Sequence, residues 1–199
     1  MNYIVDVISS PNVHTMIRQQ IYDLACSLFV KEDQPAIRKS LRTCLPRLSR
    51  VVLDESGRQP LAFTIVTEST PGVAFISFCG VSPTLQGRGI GSRLLEETLA
   101  GIFSAGGKYL SCQLLVDDWN AGAMRLYVRH GFVPVGIVQE PHSRCILMQR
   151  SCLGLGFGSG SSPSPSHNIS SPLDSIEDCI SCLPASFSSN PIMCTYLTT

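Results

Sequence analysis

The 199-residue sequence predicts an α/β (α+β) fold, in which strands and helices alternate over one domain, residues 1–150. Short apolar runs rich in β-branched residues alternate with segments whose apolar residues recur every three or four positions, which indicates strands and helices in turn. The composition changes after Arg150, because residues 151–199 contain 13 serines and neither lysine nor arginine. Such a segment cannot fill a core, so we expect a low-complexity, serine-rich and disordered tail.

The first half of the chain predicts a strand, two helices and a hairpin. The strand is residues 3–8, and helical spacing of apolar residues then starts at Asn12, a candidate N-cap. A second helix follows Asp33, with Pro35 in its first turn and Pro46 beyond its end. The hairpin consists of two β-branched runs and the polar turn between them, residues 49–54, 61–68 and 55–58.

The second half predicts two strand–helix units and a last hairpin. An apolar run at residues 73–81 precedes a helix that ends near Phe103, before a pair of glycines. A strand at 109–116 leads to a helix at 121–130, for which Asn120 is the candidate N-cap. The closing hairpin joins residues 132–140 and 145–150. The buried face of the first of these helices is predicted to be Ile90, Leu94, Leu95, Leu99 and Ile102.

Charge and hydropathy exclude several classes of protein. Lysine plus arginine equals aspartate plus glutamate, 15 of each, so no basic field favours binding to nucleic acid. No apolar run reaches the roughly 18 residues that a membrane-spanning helix needs, and the N-terminus does not have the pattern of a signal peptide. We therefore expect neither nucleic acid nor membrane as a partner.

Cysteine usage indicates a reducing compartment, and we expect the protein to be cytoplasmic, with the nucleus as an open alternative. Nine cysteines are scattered along the chain, and five of them lie in apolar patterns typical of buried free thiols: Cys26, Cys44, Cys79, Cys112 and Cys145. Cys179 and Cys182 have the C-x-x-C spacing of zinc ligands. A zinc site takes four ligands and the chain has no second such pair, so no metal site is predicted.

The stretch LQGRGIGSRLL, residues 85–95, places three glycines directly before a predicted helix. A dinucleotide-binding fingerprint, G-x-G-x-x-G, needs its third glycine at position 92, where this chain has Ser92, and a P-loop needs a lysine that is absent here. The stretch does fit the pattern Q-x-x-G-x-G, through Gln86, Gly89 and Gly91. The first N–H groups of a helix have no acceptor within the helix and lie at its positive end, where a pyrophosphate satisfies both needs. The alternative is a turn that only links the strand to the helix.

A second stretch makes the pattern specific. A strand ending in leucine-x-valine is followed by an asparagine, an alanine, a tyrosine and a glycine–aromatic pair, here Leu114, Val116, Asn120, Ala123, Tyr127 and Gly131–Phe132. With the glycine loop before it, this order resembles the GNAT superfamily of N-acetyltransferases. The resemblance implies a mixed, mostly antiparallel sheet flanked by helices on both faces. It also implies acetyl-CoA as the donor and an amine-bearing small molecule, peptide or protein as the acceptor.

The resemblance further implies which residues hold the cofactor. The coenzyme would lie where strand 73–81 splays from strand 109–116, with its pantetheine amides paired to the edge near Cys79 and Val81. Asn120 aligns with an asparagine that contacts the cofactor, although it is also a good N-cap. The pyrophosphate would bind the backbone N–H groups of the loop and the helix start, Gln86, Gly87, Arg88, Gly89, Ile90, Gly91 and Ser92.

Tyr127 aligns with the family tyrosine that hydrogen-bonds the thioester sulfur and protonates it as a catalytic acid; the alternative is half-buried helix packing. The chain departs from the family branch that acetylates protein N-termini, because Leu115 stands where that branch often has a catalytic glutamate or histidine. Glu68, Asp117 and His142 are the candidate replacement bases, or else simply solvated polar residues. The sequence leaves open the acceptor, the oligomeric state, a non-catalytic acetyl-CoA-binding role and an interaction role for the tail.

Overall fold

The computed structural model describes residues 4–7, 11–140 and 143–152, with side chains described from Met16 onwards. Every predicted strand and helix is present, and two single 3-10 turns, Lys31–Asp33 and Pro83–Leu85, lie between them. The elements are β1 (Ile4–Val7), α1 (Pro11–Leu28), α2 (Gln34–Thr43), β2 (Arg50–Leu53), β3 (Pro60–Thr70), β4 (Val73–Val81), α3 (Ile90–Phe103), β5 (Ser111–Asp117), α4 (Ala121–Arg129), β6 (Val133–Gln139) and β7 (Arg144–Ser151).

One predicted helix boundary is wrong. Helix α1 begins at Pro11, so Asn12 lies inside its first turn and is not the N-cap. Proline is favoured at the first helical position because its missing N–H would have no acceptor there and its φ is already helical. The cap predicted for the last helix agrees with the structure, since Asn120 is the N-cap of α4.

The seven strands form one mixed sheet in the order β1-β2-β3-β4-β5-β7-β6. All neighbouring pairs are antiparallel except β4 and β5, which run parallel. Parallel neighbours need a crossover, and α3 supplies it between β4 and β5. The mixed, mostly antiparallel sheet that the family resemblance implies is therefore confirmed.

The parallel pair β4–β5 opens into a split. Its ladder covers only four residue pairs, from Val73–Ser111 to Ile76–Leu114, and ends well before β4 does. On the other side of β4, the register against β3 shifts between Ile76 and Phe78, so Ser77 is an extra residue in a β-bulge. A bulge bends its strand and increases its twist, which turns the end of β4 away from β5.

Helices cover both faces of the sheet. On one face, α3 and α4 pack on a core that includes Ile76, Cys79 and Val116. On the other face, α1 and α2 pack on a second core, in which the Phe29 ring meets Phe78 edge-on at 5.2 Å. All five residues predicted for the buried face of α3 are buried.

Three of the predicted buried thiols are buried and free, namely Cys44, Cys79 and Cys112. Cys26 is free but only half-buried. Cys145 is also buried, but its sulfur is in a disulfide, so the expectation of a free thiol is wrong for that residue. The predicted tail from residue 153 onwards lies outside the described residues, and so does the Cys179–Cys182 pair.

Candidate active site

The glycine loop lies directly between the end of β4 and the start of α3. After the 3-10 turn, Gly87 and Gly89 both have positive φ, 72° and 77°, and Gly89 is the N-cap of α3. A Cβ at either position would meet no atom within 4 Å. The backbone conformation, not crowding, is therefore what favours glycine at these two positions, and the space beside the loop is open.

The N-terminus of α3 presents backbone donors. Its first intrahelical bond runs from the Arg93 N–H to the Gly89 carbonyl at 3.1 Å, so the N–H groups of Ile90, Gly91 and Ser92 precede the helical ladder. No acidic side chain lies in the first turn. These donors and the helix dipole together favour an anion. Arg88 is exposed beside them.

The edge of β4 beside the split carries a second set of backbone groups. The Ser82 N–H donates to the Leu61 carbonyl of the neighbouring β3 segment at 2.8 Å. Because successive residues of a strand point their N–H and C=O groups to opposite sides, the groups of Cys79 and Val81 face away from β3, toward the split. The Gln86 side chain donates to the Val81 carbonyl at 3.0 Å and ties the glycine loop to this edge.

Asn120 caps α4. Its side-chain oxygen accepts a hydrogen bond from the Ala123 N–H at 3.1 Å, and the residue is only 4% exposed. The capping role is therefore present in the structure, while contact with a cofactor stays a prediction.

Tyr127 is more deeply buried than the half-buried position that the sequence suggested as the alternative. It is 0% exposed instead of half-buried, and its ring meets Phe132 edge-on at 5.8 Å. It belongs to the same core cluster as Cys79 and Val81, the two residues at the edge of the split. Its hydroxyl oxygen is buried as well. In this conformation the hydroxyl is closed to solvent.

The candidate bases are separated by the fold. Glu68 pairs across the sheet with Ala74, at the end where β4 and β5 are still joined, roughly 20 Å along the strand from Val81. Its carboxylate forms an ion pair with Lys108 at 3.2 Å. Glu68 is therefore not part of the site. His142 lies outside the described residues.

Asp117 lies in the open part of the split. It ends β5 three residues beyond Leu114, the last position paired with β4, and it is 0% exposed. Its neighbour Val116 points into the α3–α4 core, so Asp117 and Leu115 are on the opposite face of the sheet, where Leu115 packs with Phe75, Cys145 and Leu147. The Cys145 sulfur lies 3.5 Å from a carboxylate oxygen of Asp117. Leu115 is buried among apolar side chains and offers no proton acceptor.

His130 was not singled out by sequence reasoning. It is the C-cap of α4, and its Nε2 lies 2.7 Å from the Ser92 hydroxyl in the first turn of α3. The two residues are 38 positions apart, so the sequence shows no signal that would pair them. A hydrogen bond between His130 and Ser92 therefore connects the end of α4 to the helix start that follows the glycine loop.

Among the described residues, no group of histidine, cysteine, aspartate and glutamate side chains could hold a metal ion. Within the same part of the chain, no helix has both the length and the apolar character needed to cross a bilayer.

The strand order, the split between β4 and β5 and the glycine loop at the start of α3 define the architecture of this α/β domain. A family model described as "Acetyltransferase (GNAT) family" matches residues 18–132, more than half of the chain, so the chain belongs to the GNAT acetyltransferase family. A comparison with curated proteins gave no match.

Solved structures share the fold. Ard1 from Thermoplasma volcanium superposes with a TM-score of 0.61 at 23% identity, over 75% of this chain and 97% of that one. The ribosomal-protein-S18-alanine N-acetyltransferase from Escherichia coli has a TM-score of 0.61 at 18% identity, over 78% and 100%. A GNAT family acetyltransferase from Elizabethkingia anophelis with acetyl-CoA bound has a TM-score of 0.58 at 16% identity, over 75% and 98%. At these sequence identities the comparison shows a shared fold and does not show a shared substrate.

Proposed function

We propose that this protein is an acetyl-CoA-dependent N-acetyltransferase, which transfers the acetyl group to an amine by direct attack on the thioester. The observation that carries the proposal is the adjacency of two sets of outward-facing backbone groups, one at the N-terminus of α3 and one at the β4 edge of the split. An extended ligand with an anionic group at one end and amides in the middle matches this arrangement. The bound acetyl-CoA in the Elizabethkingia relative supports the same donor.

Each of the two sets of backbone groups is proposed to bind a different part of the coenzyme. Its pyrophosphate is assigned to the N–H groups from Gly87 to Ser92, where nothing within 4 Å would obstruct approach to Gly87 or Gly89. Its pantetheine amides are assigned to the backbone of Cys79 and Val81, as a short added strand. A β4 N–H at this edge would then be placed to polarise the thioester carbonyl.

Asp117 is the base that the geometry favours. It is the one candidate of the three that the described structure places at the open end of β5, whereas Glu68 is engaged by Lys108 at the closed end. In the proposed step Asp117 takes a proton from the acceptor ammonium. The amine nitrogen then bonds to the carbonyl carbon, and the carbon–sulfur bond breaks. The leaving thiolate receives the Tyr127 hydroxyl proton, and the attacking nitrogen gives up one further proton as it becomes an amide, which restores the Tyr127 hydroxyl.

A second candidate function is a non-catalytic acetyl-CoA-binding module. Two observations favour it: Leu115 cannot accept a proton, and the Tyr127 hydroxyl is buried in the core. Both candidates predict coenzyme binding, and only the enzyme predicts turnover.

The test has two arms on the full chain. Calorimetric titration with CoA and acetyl-CoA measures binding, and mass spectrometry measures acetyl transfer to small amines, amino acids, peptide N-termini and lysine peptides. Binding with transfer supports the enzyme, and binding without transfer to any acceptor supports the module. Absence of both overturns the proposed function.

A further inference from the structure

A hydrogen bond joins the phosphate-facing helix to the end of α4. The Ser92 hydroxyl, in the first turn of α3, lies 2.7 Å from Nε2 of His130. Gly89, the N-cap of α3, has no side chain to offer, and Ser92 carries the hydroxyl in the first turn of this helix. The direction of the Ser92 O–H therefore decides whether this hydroxyl donates into the same space as the backbone N–H groups at the start of α3.

Hydrogen bonds fix the backbone of His130. The His130 N–H bonds to the Leu126 and Tyr127 carbonyls as α4 ends. Its carbonyl accepts a hydrogen bond from the Arg150 guanidinium at 2.8 Å, and that guanidinium also lies over the Phe103 ring at 5.3 Å. Contacts from α4, β7 and the end of α3 thus hold His130 against Ser92.

The ring nitrogen can act on Ser92 in two ways. When Nε2 is unprotonated, it accepts the Ser92 O–H, and that proton is unavailable to a ligand. When Nε2 carries a proton, it donates to Oγ, and the Ser92 O–H is released to donate elsewhere. A phosphate oxygen only accepts, so it pairs with the second arrangement, and a full imidazolium adds charge attraction.

We propose that His130 is a positioning residue of the cofactor site, whose protonated ring directs the Ser92 O–H toward the coenzyme's phosphates and tightens acetyl-CoA binding as the pH falls. This inference rests on the proposed function. Charged groups on three elements face the ring: Glu96 on α3, Arg129 on α4 and Arg150 on β7. Burial lowers the pKa of His130 from its ordinary value, Glu96 raises it, and the two arginines lower it.

The direction of the pH effect follows from these groups. In the free protein the pKa of His130 is below its ordinary value, so the ring is neutral near pH 7. Bound phosphates favour the imidazolium and raise its pKa, so binding takes up a proton. Affinity therefore increases as the pH falls through the bound-state pKa, and it is unaffected well above that pKa.

The experiment measures CoA binding by calorimetry at about pH 8 and about pH 5.5 on the full chain. The 3′-phosphate of the coenzyme itself titrates near pH 6, as phosphate monoesters do. The quantity compared is therefore the ratio of the dissociation constants of His130→Gln and wild type at one pH. We expect a ratio within about twofold at the high pH and of at least about threefold at the low pH. Lys39→Gln, an exposed residue of α2, controls for loss of positive charge and should match wild type at both.

A double-mutant cycle tests the Ser92–His130 link itself. Ser92→Ala and His130→Ala should be non-additive in binding, because either one removes the same hydrogen bond. As a measure that needs no variant to fold, NMR titration of wild type should show the His130 pKa rising when CoA is added. Equal ratios at both pH values, additive single variants or an unmoved His130 pKa would each overturn the inference while the proposed function stands. Wild type that binds no CoA would overturn both.

Discussion

Gly89 is the position where the proposed phosphate site is most open to a test. Its φ of 77° lies in the left-handed region, and a Cβ there would meet no atom within 4 Å. Gly89→Ala therefore changes backbone energy without a steric clash. An L-residue in this region costs about 1–2 kcal/mol. The part of this cost that the free loop does not relieve by relaxing lowers Tm, by at most about 2–8 °C for a chain of this size, and the part that it does relieve must be restored on binding.

The same strain sets the expected loss of coenzyme affinity. In the free protein the alanine loop relaxes toward negative φ, because nothing packs against that position. To bind phosphate, the loop must return to the strained conformation that aims the N–H groups of α3, so binding is weaker by up to the same 1–2 kcal/mol. That is a rise of about 5–30-fold in the dissociation constant for CoA.

Gly57 is a matched control for this change. It has a φ of 68° in the turn between β2 and β3, and a Cβ there would also meet no atom within 4 Å. Gly57→Ala should thus lower the free energy of unfolding by a similar amount and leave CoA affinity unchanged. Thermal melts and calorimetric titrations on both variants supply the comparison. Wild-type affinity in Gly89→Ala, or equal loss of affinity in Gly57→Ala, would refute the assignment of the loop.

The remaining predictions concern the chemistry and the packing near the split. Asp117→Asn should lower kcat by at least about 100-fold, the usual size of a general-base contribution, while Glu68→Gln retains the wild-type rate; equal effects in steady-state assays would remove Asp117 as the base. Tyr127→Phe should lower turnover at least about tenfold with little change in CoA affinity, and an unchanged rate would assign the tyrosine to packing alone. Gly80→Ala should destabilise the domain by about 1–3 kcal/mol, because its Cβ would lie 2.8 Å from Leu28 and 3.0 Å from Phe63; an unchanged unfolding midpoint in urea would contradict this packing.

Local patterns predicted the elements well, for a physical reason. Strand β4 begins and ends where its apolar run does, at residues 73 and 81, and the buried face of α3 follows directly from the 3.6-residue period. These features depend on side chains a few positions apart. The start of α1 was missed by two residues, because a proline at the first helical position and an asparagine cap leave similar local signals.

The candidate site was predicted only in part. The glycine loop could be predicted from the sequence, because the positive φ of Gly87 and Gly89 is a local property that favours glycine at those positions. The choice among Glu68, Asp117 and His142 had no such evidence. It depends on where the β4–β5 ladder stops, and a strand's own period contains nothing about the length of its pairing with another strand.

The sequence by itself determined the order of the elements, the glycine-rich helix start and the resemblance that the family match confirms. Tertiary structure alone decided that β4 and β5 separate after Ile76, that Asp117 lies in the opening, that Tyr127 is fully buried, and that His130 contacts Ser92. Propensity and periodicity act over a few residues, whereas these four features arise from a bulge, a strand register and contacts between residues far apart in the chain.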